Sequence, residues 1–223
     1  MFQDKQVVSL FPSLLWVHDL KPEDYEPLNA RLLEAIEAII SPRPPLGPGQ
    51  SWQTETALHK GQAVAGLLPY IREAAAGALQ FMEVAYEAFE ITGCWANVNP
   101  QGVPHATHAH PNNYLSGVYY VRAPAGGDAI TFHDPRPQPQ IIAPLNKRPN
   151  NHNSSQITYP VAEGKLLVFP AWFRHSVPPN ESAQERVSIS FNVMFSAFTE
   201  TVSPPKWQGL AAGRGESGGP GGA

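Results

Sequence analysis

The chain has 223 residues, 42% apolar and only 15% charged, which is enough to bury one sizeable core. A formal charge of -4 and a pI near 6.0 give no electrostatic footing for nucleic acid or an anionic membrane, so a small-molecule or protein-side-chain substrate is the expected partner. A single cysteine, Cys94, excludes an internal disulfide. No apolar run approaches the ~20 residues of a membrane span, and the N-terminus lacks a basic-then-apolar leader pattern, so a cytoplasmic location is expected.

Residues 6–17 read as a short strand or strand pair broken at Pro12. From about Glu23 to Ile40 the apolar Leu28, Leu32, Ile36 and Ile40 recur every fourth position, which predicts an amphipathic helix with Pro22 at its first turn. After a Pro/Gly loop, an Ala-, Leu- and Glu-rich stretch predicts a second helix over about 65–88. From Phe89 the texture changes to short β-type segments at 89–99, 114–122, 128–133, 155–161, 165–170 and 186–197. Helices first and many short strands after imply an α+β chain: an antiparallel sandwich or barrel with helices laid on one face. The helical part covers about 1–88 and the β part about 89–200 of one domain. Residues 201–223 are expected to form a Gly-rich flexible tail.

The chemistry concentrates in His105-Ala-Thr-His108-Ala-His110, which leads into the strand-like Leu115–Val121. In an extended chain His108 and His110 share a face while His105 has the opposite parity, so His105 is expected to be a loop residue or a spare ligand. Two imidazoles side by side are half of a metal site. His175, after a buried-looking strand and a Pro turn, is the candidate for the other half. Eleven positions later Arg186-Val-Ser-Ile-Ser-Phe-Asn-Val193 alternates without error, with Arg186, Ser188, Ser190 and Asn192 on one face. An arginine fork with a serine two residues on suits a carboxylate ligand.

This ordered set resembles the iron(II)/2-oxoglutarate oxygenases. Leu115-Ser-Gly-Val-Tyr-Tyr-Val121, Asp134-Pro-Arg136, His175-Ser-Val-Pro-Pro-Asn180 and Arg186-Val-Ser-Ile-Ser-Phe-Asn192 are similar to a microbial and phage branch of that superfamily, over about Trp52 to Phe195. The resemblance implies a double-stranded β-helix, a jelly roll or cupin-like barrel, with Fe(II) at its mouth and 2-oxoglutarate and O₂ as cosubstrates. Matched residue by residue, His108, His110 and His175 take the metal positions, Arg186 pairs with the distal carboxylate of 2-oxoglutarate, and Ser188 assists it. Most of the superfamily has Asp or Glu where this chain has His110, which leaves open a three-histidine centre or a carboxylate arriving from Asp134. Asn97 and Tyr120 are candidates for the cosubstrate pocket, and Trp52, Tyr114, Tyr119 and Trp172 are further aromatics for its lining. The expected activity is a dioxygenase, a hydroxylase releasing succinate and CO₂. The alternatives are a three-histidine iron dioxygenase that does not use 2-oxoglutarate, and a non-enzymatic cupin-like metal- or sugar-binding module. Monomer and homodimer both stay open.

Overall fold

The structure is a computed structural model that describes residues 1–137 and 141–199, so the tail expected at 201–223 lies outside the described residues. Helix α1 spans Pro22–Ile40, with Pro22 at its start and Glu23 and Asp24 in the first turn, where the peptide dipoles favour negative charge. Its fourfold apolar row is the buried stripe, Leu28, Leu32 and Ile36. Helix α2 covers Leu68–Phe81 only, shorter than the predicted 65–88. It stops in a left-handed turn: Glu83 has φ 51°, its N–H bonds to the Gln80 carbonyl, and the Val84 N–H reaches back to that of Leu79. That is the hydrogen-bond pattern that usually carries glycine at this position, and a glutamate there hides the stop signal from a sequence reader.

Ten strands follow one another as β1 Trp16–Asp19, β2 Trp52–Gln53, β3 Phe89–Asn99, β4 His105–His108, β5 Leu115–Arg122, β6 Ala129–His133, β7 Gln156–Pro160, β8 Lys165–Pro170, β9 His175–Val177 and β10 Arg186–Phe195. A short α3, Ser196–Thr199, ends the described chain. The strands form two antiparallel sheets, six-stranded in the order β1-β8-β5-β10-β3-β2 and four-stranded in the order β4-β9-β6-β7. This is the expected α+β double-stranded β-helix. The predicted strand over 6–17 contracts to β1, an edge strand paired only with β8. Its register sets Trp16 opposite Val168, so an upstream extension would soon meet Pro170, which has no N–H to give.

Alternation along the strands divides the interior in two. Val187, Ile189, Phe191 and Val193 of β10, with Cys94, Ala96 and Val98 of β3 and Tyr119 and Val121 of β5, pack under α1 and α2. Cys94 is a buried apolar residue of this layer, its thiol pushed up to about 12 by burial. Asn29 of α1 ties helix to sheet, donating to the Val121 carbonyl at 2.9 Å and accepting from the Tyr119 hydroxyl at 2.7 Å. The opposite faces of the same strands look into the barrel. There a second apolar cluster of Val118, Tyr120, Ile130, Phe132, Leu167, Phe169 and Phe173 fills the space between the sheets. The polar face of β10 is therefore an inner wall: Arg186, Ser188 and Asn192 are all buried.

Candidate metal centre and cosubstrate cleft

His108 ends β4 and stands directly opposite His175, which opens β9. His110 lies just past β4, its N–H bonded to the Ala171 carbonyl at 2.9 Å. The three rings converge, with centroids 4.3 Å apart for His108 and His175, 4.9 Å for His108 and His110, and 5.3 Å for His110 and His175. One ring nitrogen from each lies within 4.8 Å of the others, the only such metal-capable group among the described residues. Converging nitrogens at that spacing can close on one cation through side-chain rotation.

Two of the rings are preset. Nδ1 of His108 donates to the Ala106 carbonyl at 2.8 Å, and Nδ1 of His175 to the Phe173 carbonyl at 2.9 Å. A carbonyl can only accept, so each ring carries its proton on Nδ1 and keeps the Nε2 lone pair for a ligand bond. Burial also keeps the cluster uncharged. Desolvation, followed by neighbouring histidines, pulls His110 down to about 3 and His175 to about 4, and desolvation lowers His108 as well. Neutral imidazoles are the form that binds metal.

The cleft below these rings is lined by Asn97, Asn99, Tyr120, Arg186, Ser188 and Ser190 from the six-stranded sheet. Arg186 is 2% exposed, yet its guanidinium makes one long hydrogen bond, Nη1 to the Pro178 carbonyl at 3.4 Å, and has no carboxylate partner among the described residues. Asn97 donates to the Ser190 hydroxyl at 3.3 Å. The histidines, Arg186, Ser188, Tyr120 and Asn97 predicted from sequence are thus brought together.

Other expectations fail. Asp134 is not in the metal-capable group: its carboxylate accepts from the Arg136 side chain at 2.6 and 2.9 Å and from the Arg136 N–H at 3.0 Å, turn chemistry that points it elsewhere. Trp52 stacks under Arg43, Tyr114 packs on Phe195, Tyr119 lies in the helix-side core and Trp172 is 55% exposed, so of the five aromatics only Tyr120 lines the cleft. Parity explains Tyr119, which neighbours Tyr120 and must face the other way. Sequence reading missed Trp95, whose ring lies 5.8 Å from that of His110. Its even spacing with Asn97 and Asn99 on β3 was the available signal. His105 is also not a loop residue: it begins β4, and its ring stacks on His108 at 4.6 Å. The β4–β9 register shifts between His105 and His108, which brings residues of opposite parity to one side.

Residues 93–192 match the model of a family described as "Putative 2OG-Fe(II) oxygenase". No curated protein matches the chain. Among solved structures, it is similar to the non-heme alpha ketoglutarate dependent epimerase SnoN from nogalamycin biosynthesis, with 16% identity and a TM-score of 0.58 over 82% of this chain and 77% of that one. A prolyl-4-hydroxylase of Pseudomonas putida matches at 15% identity and a TM-score of 0.55, over 82% of this chain and 93% of its own. HygX of Streptomyces hygroscopicus, solved with nickel and 2-oxoglutarate bound, matches at 9% identity and a TM-score of 0.57, covering 82% and 83%. At such identities these likenesses speak for the fold. No helix among the described residues is long and apolar enough to cross a membrane.

Proposed function

We propose, from the match of residues 93–192 to the family described as "Putative 2OG-Fe(II) oxygenase" together with the fold and the site, that the chain is a dioxygenase hydroxylating a small-molecule or protein-side-chain substrate. The overall reaction is R–H, O₂ and 2-oxoglutarate going to R–OH, succinate and CO₂. The observation that carries this reading is the buried, carboxylate-free guanidinium of Arg186 in the same cleft as three converging imidazoles. A charge held out of water without a partner is destabilising by several kcal/mol, and a ligand carboxylate removes that penalty. The fork of Arg186 takes both oxygens of the distal carboxylate, and the Ser188 hydroxyl, next on the same strand face, adds a bond.

Trp95 lies beside His110, and Asn99 pairs with Arg186 four residues further along β3, a run of roughly 13 Å. His108, His110 and His175 hold Fe(II) in this reading, and the metal supplies O₂ activation when bound. The chain itself fixes the ring tautomers through two backbone carbonyls, keeps the imidazoles neutral, and shields the cleft with Val118, Ile130 and Phe169. Tyr120 and Asn97 orient the cosubstrate from the wall. Burial, opposed by Arg186, holds the Tyr120 phenol protonated at any working pH, so it acts as a hydrogen-bond donor.

The test is the conversion of 2-oxoglutarate to succinate by the Fe(II)-loaded protein in air. Succinate formation that disappears in Arg186→Met supports the reading, and its absence with iron bound opposes it. A second reading keeps the iron but has a chelating substrate in place of 2-oxoglutarate. It is favoured by the all-histidine group and by the engagement of Asp134 with Arg136, and oxidation without succinate would select it.

A further inference from the structure

One side chain of the cleft has no part in that scheme. His105 lines the cleft from its exposed rim, beside His108, and the β4–β9 register shifts between the two residues. In a regular strand these two residues, three apart, would point to opposite sides. Bulges that re-aim a side chain are common beside active sites. The ring lies nearly parallel to that of His108, 30° apart in plane, and stands outside the three-nitrogen group. His105 pairs with Val177, one residue before Pro178, whose carbonyl is the single hydrogen-bond acceptor of Arg186. His105 and Arg186 line the same cleft. No hydrogen bond to its ring nitrogens is made among the described residues; stacking on His108 engages only the ring face, and the exposed ring leaves the nitrogens open to water or a ligand.

We propose that His105 is a cosubstrate-binding residue, donating a ring N–H to the 2-oxoglutarate carboxylate that Arg186 holds. The proposal rests on the 2-oxoglutarate reading of the cleft. A carboxylate offers about four lone-pair sites, of which the guanidinium fork takes two and the Ser188 hydroxyl one, leaving one for a donor from β4. Stacking on His108 restricts the imidazole in advance, which lowers the entropic penalty of the bond.

The experiment is a calorimetric titration of 2-oxoglutarate into the Fe(II)-loaded full chain under argon, with iron content measured separately. His105→Phe keeps the stacking and removes the N–H. It is expected to retain iron and to weaken 2-oxoglutarate binding about tenfold, the range for a hydrogen bond to a charged group. His105→Gln, which restores an N–H, is expected to stay within about threefold of the parent. Pyruvate, a keto acid without the distal carboxylate, should bind both parent and His105→Phe alike. Unchanged 2-oxoglutarate affinity in His105→Phe overturns the proposal. So does loss of iron, which would make His105 a metal ligand, or an equal weakening of pyruvate. If Arg186→Met still binds 2-oxoglutarate like the parent, the reading of the cleft itself has failed, a result distinct from failure at His105 alone.

Discussion

His108 and His175 face each other across the β4–β9 pair, 4.3 Å between ring centroids, and each is steadied by the carbonyl two residues before it. The same local device on two strands aims two Nε2 lone pairs into one space. His110 approaches from beyond the end of β4 and completes the group.

Alanine at His108, His110 or His175 should therefore lower Fe(II) affinity by more than ~100-fold, beyond the effect of losing an outer-shell partner. Alanine at His133, which bonds the Ser176 and Thr107 hydroxyls and stands outside the group, should leave it unchanged. His110→Asp should retain iron, since a carboxylate is an acceptable ligand at that position. Equilibrium dialysis with metal analysis checks all of these.

Acid should destabilise the metal-free protein through the same histidines. Their folded pKa values lie below the ordinary 6.5, with His110 near 3 and His175 near 4, so the unfolded chain binds more protons between those values and 6.5. Stability from this source is complete above pH 6.5 and is lost as pH falls toward 4 and below, by an amount on the order of a few kcal/mol. Melting temperatures of the apo protein across that window test the sign. Bound metal should hold the melting temperature up over the upper part of the window, because protons and metal compete for the same lone pairs.

Arg186→Met should separate binding from stability. Replacing an unpaired buried charge by an apolar side chain of similar length is expected to leave the cosubstrate-free protein as stable as the parent, or more stable by about 1–3 kcal/mol. The same change should abolish the rise in melting temperature produced by 2-oxoglutarate with Fe(II) under argon. Chemical denaturation and thermal shift measure the two effects independently.

Gly117→Ala tests the packing of β5 between β8 and β10. A Cβ there would sit 2.2 Å from Phe191 Cζ and 2.6 Å from the Leu167 carbonyl oxygen, and the second atom is backbone that cannot step aside. A loss of about 3 kcal/mol or more is expected by urea denaturation, from overpacking of the core.

Much of this was legible because alternation is a strong constraint when both faces of a strand are buried. The β10 pattern separated Arg186 and Ser188 from Val187 and Ile189 in advance, and the structure shows one set in the barrel and the other under the helices. The fourfold row of α1 was equally readable. What stayed hidden lies in local departures from ideal geometry. Parity placed His105 on the wrong side because a register shift is invisible in residue types. The end of α2 was obscured by a glutamate in a left-handed turn. Residue type alone does not distinguish Tyr119 and Tyr114 from Tyr120, because tertiary packing decides which ring meets a helix and which a ligand.

The most direct measurement is the absorption spectrum of the Fe(II)-loaded protein under argon as 2-oxoglutarate is added. A weak visible charge-transfer band that saturates with cosubstrate, and that is missing in Arg186→Met at the same concentration, is the predicted result. Iron bound by the three histidines with no band at saturating 2-oxoglutarate would contradict the cosubstrate assignment of the cleft.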